Sequence, residues 1–107
     1  GGDRGTALDY VNMLRQRAYG DDSGNISDAE LTLSFIIDER ARELHWENHR
    51  RTDLIRFGMF TGDEYIWEWK GNVKEGTGTE SYRDLYPIPS NDLNANPNLV
   101  QNEDYTN

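Results

Sequence analysis

Two histidines near the middle of this 107-residue chain have a spacing that can bind a metal ion. His45 and His49 lie four positions apart, so a helix would place both imidazoles on one face. Glu47 lies between them and would point away from that face, which makes it a poor general base. The chain has no cysteine and only these two histidines. We therefore interpret His45 and His49 as polar or capping residues near a helix end, and we expect neither a metal nor a cofactor.

Three glutamates in the same region, Glu39, Glu43 and Glu47, recur at every fourth position. Like charges at that spacing cost about 0.2–0.5 kcal/mol per pair in an isolated helix. Cations from another helix would offset the cost, so we predict a structural ion-pair network that fixes the bend after this helix. The arginines that follow the bend are the predicted partners, and they are Arg50, Arg51 and Arg56. The alternative is a carboxylate pair for glycoside hydrolysis, but acid and base then normally face each other across a cleft. We expect no catalytic residue.

Three aromatic residues, Tyr65, Trp67 and Trp69, alternate along a later segment. An extended backbone would place them on one side, where aromatic rings can stack against sugar faces. The neighbouring Glu68 and Lys70 could then hydrogen-bond to hydroxyl groups. Packing of the segment onto the helices is the other interpretation, and we favour it because aromatic residues are more often buried than displayed. The three aromatics remain the candidates for ligand contact.

Helices must position the histidines and glutamates, and the first predicted helix ends before residue 20. Thr6 with Asp9 three positions later forms a pair that resembles a capping box. Apolar residues then recur at helical spacing, and Gly20 suits the position just after a helix.

A second, longer helix carries an apolar stripe from Leu33 to about Asn48, and either Ser27 or Thr32 would cap its start. Asn48 tolerates the left-handed conformation that a bend there would need. A short third helix is predicted from about Arg51 to Phe57.

The helical pattern ends at Gly58. Residues 65–70 alternate like a short strand or an extended loop, and two prolines hold residues 86–89 extended. We predict a mainly α fold, with a helix pair and a short third helix in residues 1–58. Residues 59–107 form a long irregular and extended tail with little strand.

Composition excludes several classes of partner. The net charge is −9, and residues 59–107 carry 3 basic against 9 acidic side chains, so nucleic acid and anionic lipid surfaces are poor partners. No run approaches the roughly 20 apolar residues of a membrane span. Only 35% of the residues are hydrophobic, which gives a thin core for a complete domain. We therefore expect this chain to be one segment of a larger domain.

Two blocks of sequence resemble the SusD/RagB family. The first is FIIDERARELHWENHRRTDLIRFG at residues 35–58, with Asn48 where a glycine is common. The second is YPIP at residues 86–89, followed by LNANPNL at residues 93–99 and by Gln101-Asn102. The first predicted helix, residues 7–18, is also similar to the helix that precedes the first block in family members. The resemblance covers nearly the whole chain and corresponds to the C-terminal portion of the much longer family members.

This resemblance implies a tetratricopeptide-like helix pair in a nutrient-binding outer-membrane lipoprotein that is exposed at the cell surface. Such proteins capture glycans, or sometimes peptides, and deliver them to a SusC-like TonB-dependent transporter without catalysis. Contact with the membrane would be made only through a lipid anchor, and the cysteine that bears it is absent from this chain. We expect this segment to supply mainly scaffold and partner surface. A stand-alone helical interaction module is the alternative, and a surface glycosidase is a more distant one.

Overall fold

A computed structural model describes residues 2–105 and is mainly helical, as predicted. The α-helices of this range are α1 (Arg4–Tyr19), α2 (Leu33–Glu43), α3 (Arg50–Arg56) and α4 (Ser90–Ala95). Short 3-10 turns join them, and the range contains no strand, only one isolated bridge between Gly62 and Thr79. The chain divides into two compact units, Gly1–Asp53 and Leu54–Asn107. The last two residues of the predicted tail lie outside the described residues.

The first helix begins earlier than predicted. Asp3, not Thr6, is its N-cap, because the Asp3 carboxylate accepts hydrogen bonds from the backbone N–H groups of Gly5 and Thr6. The Thr6 hydroxyl donates to the same carboxylate, and these bonds, with the hydroxyl as the largest contribution, lower the pKa of Asp3. At the other end, Gly20 closes α1 in the left-handed conformation, as predicted.

The second helix begins directly after Thr32, one of its two predicted N-cap residues. The Thr32 hydroxyl accepts a hydrogen bond from the Phe35 N–H at 3.1 Å, so Thr32 is the N-cap of α2. The other candidate, Ser27, does form a capping box with Glu30, but it caps a separate 3-10 turn, Asp28–Glu30.

Helix α2 ends at Glu43, five residues before the predicted end at Asn48. Residues 44–48 form a turn in which Trp46 and Asn48 both have positive φ values, 67° and 61°. The left-handed conformation expected at Asn48 is therefore present, and Trp46 adopts it as well. Arg50 donates a hydrogen bond to the Ile37 carbonyl at 2.9 Å, which requires the chain to turn back toward α2 directly after Glu43.

The core of the first unit is small. Val11, Ile26 and Leu31 form a buried cluster, and partly buried residues of α1 and α2 pack against it. Asn12 on α1 fixes the connecting segment, because its side-chain amide donates to the Ile26 carbonyl at 3.0 Å and accepts from the Ile26 N–H at 2.8 Å. Within residues 2–105, Ile37 on α2 is the most buried large side chain, at 1% exposure.

The second unit holds its extended segment through side chains. Gln101 pairs with both backbone polar groups of Ile88, at 2.8 and 2.9 Å. Asn102 donates to the Tyr86 carbonyl, and the Tyr105 hydroxyl donates to the Leu85 carbonyl. These side chains satisfy four backbone polar groups of residues 85–88 without a neighbouring strand.

No helix within residues 2–105 combines the length and the apolar character that crossing a bilayer requires.

Replacing Thr32 with Ala tests the cap of α2. We expect the free energy of unfolding to fall by about 1 kcal/mol, because the Phe35 N–H loses its acceptor at the start of the helix. Urea denaturation followed by circular dichroism measures the change. Ser34→Ala, at an exposed position inside the same helix, is the control. Equal stability of the two variants would contradict the assignment of the cap.

Candidate ligand-binding loop

Residues 60–79 of the second unit, here called the aromatic loop, contain the three aromatic candidates. The Gly62 N–H donates to the Thr79 carbonyl at 2.8 Å, which closes the base of the loop. Two further backbone bonds cross it, from Thr77 to the Lys70 carbonyl at 3.0 Å and from Trp69 to the Lys74 carbonyl at 3.2 Å. The loop is therefore a compact structure with internal hydrogen bonds.

Two glycines allow this close approach of the backbone. Gly76 has φ 79°, and a Cβ atom there would lie 2.3 Å from the Trp67 carbonyl oxygen. Gly71 has φ 64°, and its Cβ would lie 2.5 Å from the Thr77 methyl group. A side chain at either position would strain the backbone and displace its neighbour.

Trp67 and Tyr65 lie together inside the loop. The Trp67 ring stacks on Phe60 with the centroids 6.3 Å apart, and it lies 6.1 Å from the Tyr65 ring at a tilted angle. Both candidates are half-buried. The two rings therefore pack within the loop itself, and packing of this segment onto the helices stays a prediction.

Trp69 has a different environment. Its side chain is 63% exposed, and its backbone is left-handed, with φ 69° and ψ 5°. Alternation along an extended backbone would have placed Trp69 beside Tyr65 and Trp67. The backbone instead reverses at residue 69 and enters the 3-10 turn Lys70–Asn72. The structure thus brings two of the three aromatics together and displays the third.

Lys70, which the sequence pattern offered as a hydrogen-bonding partner for sugar hydroxyl groups, is instead buried, with 2% of the residue exposed. Its ammonium group donates to the Tyr65 carbonyl at 2.7 Å and lies 4.7 Å from the centroid of the Trp67 ring. Burial lowers the pKa of Lys70, and the negative charge of Asp63 partly opposes that change. A lysine between a tryptophan and a glycine gives no sequence signal of burial, because lysine is among the residues least often buried.

The glutamates of α2 form ion pairs, and the partners that the structure gives them lie on α1 and α2. Glu39 accepts from Arg15 of α1 at 2.8 Å and from Arg42 of its own helix at 2.8 Å. The Arg15 and Glu39 side chains are only 13% and 12% exposed. Glu43 accepts from Arg17 at 2.5 Å. Participation of Glu47, Arg51 and Arg56 in the network stays a prediction.

A different acid joins α2 to the start of α3. Asp53 is 3% exposed and forms a two-pronged pair with Arg40 of α2, at 2.8 and 3.0 Å. The hydrogen bond to Asp53 raises the pKa of Arg40 above its already high value. The guanidinium of Arg50, one of the predicted bend residues, lies 3.8 Å from the Asp38 carboxylate and donates to the Ile37 carbonyl.

His45 and His49 do not share a helical face, because α2 ends before either residue. Both are exposed, and the His45 ring contacts Trp46 edge-on at 5.9 Å. The His49 carbonyl accepts from the Asp53 N–H at 2.9 Å at the start of α3. Among residues 2–105 no group of three histidine or acidic side chains is arranged to hold a metal ion.

An open cleft of about 450 Å³ lies at the turn after α2. Trp46 lines it with a ring that is 89% exposed, and Arg40, Arg50, His45 and Asn48 also contribute. Sequence patterns placed Trp46 inside a helix and gave no sign of this exposure.

Comparison with known proteins identifies relatives over nearly the whole chain. The model of the SusD family matches residues 1–105. The chain is 46% identical to the starch-binding protein SusD of Bacteroides thetaiotaomicron over 101 residues, which cover 94% of this chain and 18% of that protein. It is 33% identical to the SusD-like protein P25 of Formosa agariphila over 100 residues, or 91% of this chain and 19% of that one. The chain thus spans about one fifth of the length of these relatives. On these matches, the chain belongs to the SusD family.

Proposed function

We propose that this chain takes part in non-enzymatic glycan binding at the cell surface. The observation that carries the proposal is its 46% identity to a protein named for starch binding. An α-glucan is accordingly the first ligand to test. Glu39 and Glu43 are held by arginines and lie on one helix, which supports a binding role over a glycosidase.

Trp69 is the residue that we assign to ligand contact. Its indole ring is large, rigid and mostly exposed, and such a ring can stack on the apolar face of a sugar. The exposed Glu68 beside it offers an acceptor for sugar hydroxyl groups. Tyr65 and Trp67 contribute as the packed base that supports this part of the loop.

The helices serve mainly as scaffold and partner surface in this proposal. Tyr10 and Met13 on α1 are 64% and 63% exposed, and exposed apolar residues of this size are typical of contact surfaces. The proposed partner is a SusC-like TonB-dependent transporter, to which the glycan is delivered. The proposed location is the outer membrane, facing outward, with attachment through a lipid anchor.

A helical protein-interaction module is the second candidate. The observation in its favour is Trp46, which is 89% exposed and held in a left-handed conformation that a tryptophan rarely adopts. Exposed tryptophans beside arginines are common centres of protein interfaces.

Replacing Trp69 with Ala tests the proposed function. We expect affinity for maltoheptaose to fall about tenfold, because a stacking contact contributes up to about 1.5 kcal/mol. Isothermal titration calorimetry on the full chain measures it. Trp46→Ala removes another exposed tryptophan and is the matched control, with no expected change. Unchanged binding in Trp69→Ala would contradict the contact, and loss only in Trp46→Ala would move it to the cleft after α2.

A further inference from the structure

Lys70 is a buried cation in a loop whose other residues are mostly exposed. Removing an ammonium group from water costs free energy unless hydrogen bonds and nearby negative charge compensate for the lost solvation. Most surface lysines avoid this cost by extending into solvent. The free-energy cost of burying Lys70 therefore suggests that its ammonium group makes structural contacts that an exposed lysine would not make.

The ammonium group contacts the segment of the aromatic loop that precedes it at two points. It donates to the carbonyl of Tyr65, five residues earlier, and lies over the ring of Trp67. A charge-assisted hydrogen bond is about twice as strong as a neutral one, and a desolvated cation gains further from an aromatic face. The side chain of Lys70 thus fixes residues 65–67 against the turn Lys70–Asn72.

The backbone of Lys70 makes further contacts at the same point. Its N–H donates to the Trp67 carbonyl at 3.1 Å, and its carbonyl accepts from Thr77 at 3.0 Å. Lys70 therefore connects both sides of the loop through its main chain as well as its side chain. The loop's other contacts are backbone hydrogen bonds and the contacts of the Trp67 ring with Phe60 and Tyr65, and most of the other loop residues are exposed.

Trp69 immediately precedes this point. The two neighbouring side chains have opposite environments, since Lys70 is 2% exposed and Trp69 is 63% exposed. The left-handed backbone of Trp69 is unfavourable for a bulky residue and persists only where surrounding contacts enforce it. The contacts of Lys70, the next residue, help to enforce it, together with the hydrogen bond from the Trp69 N–H to the Lys74 carbonyl at 3.2 Å.

We propose that Lys70 is the positioning residue of the aromatic loop: its buried ammonium group holds the backbone in the conformation that displays Trp69 to a glycan. Lys70 itself does not contact ligand. This inference rests on the proposed role of Trp69. In this proposal the affinity of the loop for a glycan depends on the buried ammonium group of Lys70 as well as on the exposed ring of Trp69.

Hydrogen exchange of the full chain tests the structural half of this proposal without any ligand. In Lys70→Met, which keeps the length of the side chain but cannot donate a hydrogen bond, we expect the Trp69 and Thr77 amides to exchange about tenfold faster. The Ile88 amide, which is hydrogen-bonded to Gln101 in the same unit as the loop, should not change, which shows that this unit of the variant is folded. Lys74→Met, at an exposed lysine of the same loop, should match the wild type. Equal exchange in the two lysine variants would overturn the proposal.

Binding of maltoheptaose tests the functional half. Lys70→Met should lose about tenfold in affinity, Lys70→Arg should recover part of it, and Lys70→Met combined with Trp69→Ala should lose little more than either alone. Full affinity in Lys70→Met, despite faster exchange, would overturn the link to Trp69. If the wild type binds no maltoheptaose while Lys70→Met still accelerates exchange, the proposed function fails and the role of Lys70 in the loop stands.

Discussion

Replacing Asp53 with Ala should lower the free energy of unfolding by about 3 kcal/mol. The Asp53 carboxylate is 3% exposed and receives two hydrogen bonds from Arg40. Its removal leaves the Arg40 guanidinium without its acceptor and opens a small cavity where α3 begins. The Arg40 side chain is 36% exposed and regains some hydration, so we expect the lower end of the range for broken buried pairs.

Urea denaturation of the full chain, followed by circular dichroism, measures this loss. Asp9→Ala removes the same charge from an exposed position on α1 and should change stability by less than about 0.5 kcal/mol. Combining Asp53→Ala with Arg40→Met should cost less than the sum of the single changes, since the two side chains act as a pair. A near-wild-type stability of Asp53→Ala would show that this pair does not fix the bend after α2.

Replacing Ile37 with Ala should destabilise the protein by a similar amount, about 3 kcal/mol. Ile37 is 1% exposed and is the most buried large side chain among residues 2–105. Truncation removes buried apolar surface and leaves a cavity that a thin core has few residues to fill. The effect should be measurable as a lower urea midpoint.

Leu33→Ala is the matched control for Ile37→Ala. Leu33 lies on the same helix, but its side chain is 73% exposed, so its truncation should change stability by less than about 0.5 kcal/mol. If the two variants lost equal stability, the orientation of α2 would be wrong.

Helix ends show where sequence reasoning succeeds and where it fails. The caps at Thr32 and Gly20 were predictable because a short polar side chain or a glycine stands next to a periodic apolar run. The start of α1 was misplaced because Asp3 and Thr6 are both good caps, and Asp3 accepts from two backbone N–H groups. The end of α2 was misplaced because no glycine or proline marks Glu43. The turn there is stabilised by tertiary contacts: Arg50 donates a hydrogen bond to the Ile37 carbonyl, and Arg40 donates to the Asp53 carboxylate.

The ion pairs of α2 illustrate the same limit. The spacing of Glu39 and Glu43 correctly indicated that cations would face them. It could not identify the cations, because Arg15 and Arg17 are more than twenty residues away and are brought close only by packing of α1 against α2. Arg50 and its neighbours were predicted as partners only because they follow the glutamates closely in the sequence.

By itself, the sequence determined the mainly helical fold, the number of helices before residue 58 and the membership of the SusD family. These follow from local periodicity, capping residues and two distinctive blocks, all of which can be read along the chain. Only the tertiary structure decided that Trp69 is displayed while Tyr65 and Trp67 are packed together, and that Lys70 is buried with its ammonium group against the Trp67 ring. The physical reason is that burial depends on which distant groups offer hydrogen bonds and ring faces, and the Tyr65 carbonyl becomes an acceptor for Lys70 only after the loop has closed.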